Sequence, residues 1–145
     1  MQLALNTDQE QLRDAFDKVL RTESTPARVR AAEPLGHDAK LWDGLVAFGV
    51  PMMRVPEEAG GLGIGLLDAS LIAEVAGRHL ASAPVIESIV ATHLLAELGG
   101  DAEAWLHRVS QGEVIVTLAL HEPDLKPSQL VPGARSEERR VGKEC

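Results

Sequence analysis

The chain has 145 residues, 22 acidic against 14 basic, and a formal net charge of −8. That length fits one compact core, and that charge argues against unassisted binding to nucleic acid or an anionic membrane, since both need basic patches to displace counterions. The single cysteine, Cys145, excludes a disulfide within the chain and a zinc site built on cysteines.

No run reaches the roughly 20 apolar residues of a membrane-spanning helix, and residues 1–10 have neither the basic nor the apolar part of a signal peptide. A cytoplasmic protein is expected. Aromatics are sparse (Phe16, Trp42, Phe48, Trp105), and Ala, Leu and Val dominate, which suits helix packing better than a β-sandwich.

Thr7 and Glu10 stand at capping-box spacing, and Leu12, Ala15, Phe16, Val19 and Leu20 follow at helical intervals, which predicts a helix over 8–23. Arg13, Asp14, Asp17, Lys18 and Arg21 form its solvated face. Residues 24–36, with Pro26 and Pro34, read as a connector holding a helical turn between the prolines. Asp38 is placed to cap a second helix with an apolar stripe of Leu41, Trp42, Leu45 and Val46; Gly49 sits where a left-handed residue ends a helix, and Pro51 prevents continuation.

Residues 54–65, RVPEEAGGLGIG, form a turn between two helical runs, with Gly60, Gly61, Gly63 and Gly65 free to take positive φ. A phosphate-cradling loop does not fit, because the GxGxxG register fails and no basic residue lies between Arg54 and Arg78. For Glu57 and Glu58 three settings are open: a helix N-terminus, an arginine, or water.

Leu67, Leu71, Ile72 and Val75, with Ala69, Ala73 and Ala76 between them, predict a third helix buried on several sides. Pro84 fits the first turn of a fourth, which carries Val85, Ile86, Ile89, Val90, Leu94, Leu95 and Leu98 around nearly its whole circumference and stops at Gly99 and Gly100. Asp101 is expected to cap a short fifth helix through Trp105, Leu106 and Val109, ended near Gly112. From Glu113 the period changes, and Val114 to Leu118 read as a strand that breaks at Pro123 and has no partner in sight.

Four of the five histidines, His79, His93, His107 and His121, lie fourteen residues apart, but Pro84, Gly99 and Gly112 divide them among separate elements, so no metal site is predicted. No GxSxG elbow supports a hydrolase. Glu87 is either a buried base or the wet edge of its helix.

PEEAGGLG, followed by an Ala-rich amphipathic run with Asp68 near its start and Glu74 inside it, resembles the helical domain of acyl-CoA dehydrogenases. The surroundings fit in order and spacing from near Met1 to about Pro123: a tryptophan-bearing helix ending in FG upstream, then GE, a β-rich run and ALHEP downstream. The resemblance implies a mainly α, up-and-down N-terminal helical domain over 1–112, then the first strand of an incomplete middle β domain over 113–134. It implies FAD as cofactor and α,β-dehydrogenation of acyl-CoA, in which a glutamate takes the α proton and flavin takes the β hydride. That glutamate belongs to a C-terminal bundle in most branches, so no catalytic residue is assigned in this chain. Substrate contacts are expected from Val85, Ser88, Ile89 and Thr92, and flavin contacts from Leu118, Leu120 and His121. His121 stands where the family carries threonine, and residues 124–128 lack the usual glycine-serine pattern. The parent is expected to use an electron acceptor and to form a homo- or hetero-oligomer.

Residues 135–145, RSEERRVGKEC, match one reading frame of a common short-read sequencing adapter and are expected to be non-native. The leading expectation is therefore an N-terminal fragment, inactive alone and without bound FAD. The alternatives are a small helical interaction module and a non-catalytic paralogue of the enzyme.

Overall fold

A computed structural model describes residues 4–118. These residues form α1 (Thr7–Glu23), α2 (Pro26–Ala32), α3 (Ala39–Ala47), α4 (Leu66–Arg78), α5 (Val85–Leu98) and α6 (Glu103–Ser110), with 3₁₀ turns at Val50–Met52, Glu57–Ala59 and Gly100–Ala102. The architecture is the expected helical one. Leu120, His121 and residues 135–145 lie outside the described residues.

The capping box of α1 sits one residue earlier than the spacing predicted. The Asn6 carboxamide oxygen accepts the Gln9 N–H at 2.8 Å, and the Gln9 side chain accepts the Asn6 N–H at 3.1 Å. Asn is the better cap and Gln serves as well as Glu at the third position, so the register moves. The connector holds a full helix, α2, with the Thr25 hydroxyl accepting from Arg28 N–H and Pro26 in the first turn. Asp38 caps α3 as expected, its Oδ1 accepting Leu41 N–H at 3.0 Å, and Gly49 follows at φ 74°.

The glycine turn folds back onto the segment before it. Leu62 N–H donates to Met52 O, Gly63 N–H to Val55 O and Ile64 N–H to Met53 O, at 2.8–3.1 Å. Gly61 must be glycine for a steric reason, since a Cβ there would lie 2.0 Å from Val55 O. Glu57 and Glu58 are exposed, and neither joins an ion pair among the described residues.

The core joins Phe16 and Leu20 of α1, Leu41, Trp42 and Leu45 of α3, Val50 and Met53, Ala69, Ile72, Val75 and Ala76 of α4, and Val85 and Ile89 of α5. Each large side chain fully removed from water here contributes about 1.5–3 kcal/mol. A second cluster, Met52, Val55, Leu106 and Val109, secures α6 beside α5. α4 buries Leu71, Ile72 and Val75 of the predicted stripe, but Leu67, expected with them, is exposed in the first turn, as is Leu66.

Two terminal features differ from expectation. Asp101 does not cap α6: it lies in the 3₁₀ turn that leads into the helix, and the N-cap position is Ala102, with no side-chain bond. Residues 114–118 form no ladder among the described residues. Val114 and Val116 instead pack on the second cluster. A β-branched run cannot make a strand without a partner for its backbone, and none is described.

Candidate functional site

Between α4 and α5 lies a groove of about 260 Å³. Leu66, Ala69, Ser70 and Ala73 line it from α4, Ile86, Ile89, Val90 and His93 from α5, and Arg54 from the segment before the glycine turn. The small side chains on α4 leave the space that the branched ones on α5 face. Its polar end is a pair: Arg54 Nη2 lies 3.3 Å from His93 Nε2, and Arg54 Nη1 donates to Ile64 O at 3.5 Å. A guanidinium only donates, so Nε2 accepts and the imidazole proton sits on Nδ1. That Nδ1 is buried and has no partner among the described residues.

Of the four residues expected at the acyl chain, Ile89 alone lines this groove. Val85, Ser88 and Thr92 are all buried. Thr92 Oγ1 donates to Pro51 O at 2.5 Å, tying α5 to the turn after α3, while Ser88 Oγ is buried without a partner among the described residues. The opposite ridge of α5 is open: Ile86, Val90, Leu94 and Leu98 are 52%, 43%, 44% and 77% exposed, and their spacing of four puts them on one face. Leu118 is half-buried in irregular backbone; Leu120 and His121 lie outside the described residues.

Glu87 is exposed and marks the wet edge of α5. No carboxylate lines the groove among the described residues. The three described histidines of that series lie on separate elements: His79 Nε2 is 2.9 Å from Asp17 Oδ1, His93 meets Arg54, and His107 is exposed. Among the described residues no group of His, Cys, Asp or Glu could hold a metal, and no helix is long and apolar enough to cross a membrane. The perturbed carboxyls lie away from the groove. The His79 hydrogen bond holds Asp17 below the usual carboxylate range against the opposing effect of burial, and Arg28 does the same for Asp38.

Residues 6–113 match the family described as acyl-CoA dehydrogenase, N-terminal domain. The chain belongs to the acyl-CoA dehydrogenase family. It is 35% identical over 121 residues to acyl-CoA dehydrogenase IpdE2 of Mycobacterium tuberculosis, covering 81% of this chain and 37% of that protein. To the IpdE2 of Mycolicibacterium smegmatis it is 29% identical, covering 81% and 38%. To acyl-CoA dehydrogenase FadE27 of M. tuberculosis it is 31% identical, covering 72% and 29%. The chain thus spans under two fifths of the length of these relatives. No solved structure matches it significantly.

For this member of the family, sequence reasoning missed the Arg54–His93 pair, which joins residues 39 apart. Arg54 was visible only as the border of the glycine turn and His93 only as one of a series. It also missed Ile86 and Val90, because a helix apolar all round carries no signal for which face packs inward.

Proposed function

We propose that this chain is the N-terminal helical part, over 1–112, of a FAD-dependent acyl-CoA dehydrogenase that desaturates acyl-CoA thioesters. The exposed ridge Ile86, Val90, Leu94 and Leu98 carries this reading: it is apolar surface that starts at the groove, which Ile86 and Val90 line, in a chain that spans under two fifths of relatives named acyl-CoA dehydrogenases. A contiguous exposed apolar ridge marks a surface that another apolar layer covers. On this reading the rest of a cytoplasmic, oligomeric enzyme covers it, residues 113–134 begin the middle domain, and 135–145 are not native.

Ile89 then touches the acyl chain directly, and Ser88 offers an unspent hydroxyl. Val85 and Thr92 hold the wall in place from behind. Leu118, Leu120 and His121 would lie near the flavin ring. A bound flavin supplies the hydride acceptor. The chain's own residues bind and orient the acyl group and keep water from it, and the 145-residue chain alone is inactive. The reoxidising electron acceptor is a separate partner.

The same ridge favours a second reading, a helical module that docks another protein without redox chemistry. Resequencing the source locus across the codons for Ala134 and Arg135 separates the two. A frame that continues into a β domain and a bundle with a glutamate base, giving a yellow protein bleached by acyl-CoA, supports the dehydrogenase. A genomic RSEERRVGKEC followed by a stop overturns it in favour of the module, and a continued frame without the acid points to a non-catalytic paralogue.

A further inference from the structure

We infer that the α4–α5 groove seats an apolar chain that ends in a carboxylate, with the Arg54 guanidinium as the partner of that anion. Ala69, Ala73, Ile86, Ile89 and Val90 make the groove apolar along its walls, the Ser70 hydroxyl is spent on Leu66 O at 2.8 Å, and the one charged end is Arg54 with its neighbour His93. A guanidinium has five N–H donors. Among the described residues two of them have partners, Ile64 O at 3.5 Å and His93 Nε2 at 3.3 Å, both neutral and both long.

Arg54 is half-buried, yet it joins none of the ion pairs among the described residues. Arg13, Arg21, Arg28, Arg78 and Arg108 each hold a carboxylate, in a chain where acids outnumber bases 22 to 14. A partly desolvated cation without a counter-charge is unfavourable, so an anion entering the groove gains more here than at the paired arginines. The planar fork of donors matches a carboxylate in two parallel bonds. One guanidinium balances one charge, which suits a carboxylate better than a phosphate dianion. His93 contributes by accepting at Nε2, which fixes the guanidinium against the groove wall.

In an acyl-CoA the carboxyl next to the coenzyme is a thioester, so a carboxylate at Arg54 would belong to the far end of the acyl group. That corollary, a substrate with a second, distal acid, rests on the dehydrogenase reading; the binding itself does not.

Calorimetric titration of the 145-residue chain with octanoate and with octanol tests the inference. The expected result is octanoate binding at least about tenfold more tightly, a preference erased in Arg54→Gln with octanol affinity retained. Arg54→Lys is expected to fall between. Ala73→Leu, which fills the groove, should abolish both while the helical circular dichroism stays unchanged. Equal affinities in the parent chain, no octanoate binding at millimolar concentration, or an intact preference in Arg54→Gln overturns the inference. Retained octanol binding certifies that Arg54→Gln is folded. Failure of the dehydrogenase reading shows separately, as an extended frame that holds no flavin while the Arg54-dependent preference persists.

Discussion

Arg28 clasps Asp38 through two parallel hydrogen bonds, Nε to Oδ2 and Nη2 to Oδ1, each 2.9 Å. The same Oδ1 accepts the Leu41 N–H that opens α3, and the Asp38 N–H donates to Ser82 O in the loop between α4 and α5. One residue therefore joins three parts of the fold. Asp38→Ala, which removes cap and ion pair together, is expected to cost about 1–2 kcal/mol in urea unfolding. Asp38→Asn keeps the cap and should cost less by about 1 kcal/mol.

The two depressed carboxyls set the acid limb of stability. Both Asp17 and Asp38 titrate below the ordinary value of 3.8 in the folded chain, Asp17 chiefly through the His79 hydrogen bond and Asp38 chiefly through Arg28. A folded value below the unfolded one gives stability that is full above the unfolded value and lost as pH falls through the folded one. Thermal melts between pH 5 and pH 2 should therefore show a steep decline in the parent chain. In the Asp17→Asn, Asp38→Asn double variant the decline should be shallower, with a lower plateau at neutral pH.

Glycines at two places should respond in opposite directions to alanine. At Gly61 the new Cβ meets Val55 O at 2.0 Å, a backbone atom that cannot yield without opening the turn, so Gly61→Ala should lose about 3 kcal/mol or more. At Gly44, inside α3 and with nothing within 4 Å of a built Cβ, alanine should add about 0.5–1 kcal/mol. Urea midpoints for the two variants check both signs.

The buried hydroxyls of α5 should likewise separate. Thr92→Val keeps the shape and removes the donor to Pro51 O, for an expected loss of about 1 kcal/mol. Ser88→Ala removes an oxygen with no partner among the described residues and should be neutral or stabilising by up to about 1 kcal/mol. Loss of acyl affinity in that same Ser88→Ala variant, measured in an extended chain, would mark the hydroxyl as kept for ligand rather than for stability.

Local chemistry was enough to read most of the helices. Asp38 as cap, Gly49 as the left-handed stop, Pro51 as a break and the stripe Leu41, Trp42, Leu45 are decisions made within a few residues of each other, where capping and periodicity act directly. The motif around Gly60 and Gly61 was equally legible as a family mark, because close backbone contact at Gly61 leaves only one residue type. Competing local signals were harder: Asn6 with Gln9 and Thr7 with Glu10 offer the same box one residue apart, and spacing alone does not choose.

Tertiary structure decided what spacing could not. α5 is apolar on every side, so its sequence does not say that Ser88 and Thr92 turn inward while Ile86, Val90, Leu94 and Leu98 stay open; the packing of α4, α6 and the turn at Val50–Met52 makes that choice. Val114 to Leu118 have strand composition, but a ladder needs a second strand, and composition cannot supply one. Arg54 and His93 meet across 39 residues only because the Gly61 turn folds back and aligns the segment before α4 with the middle of α5. Contacts at that range depend on how helices stack, and no local pattern encodes them.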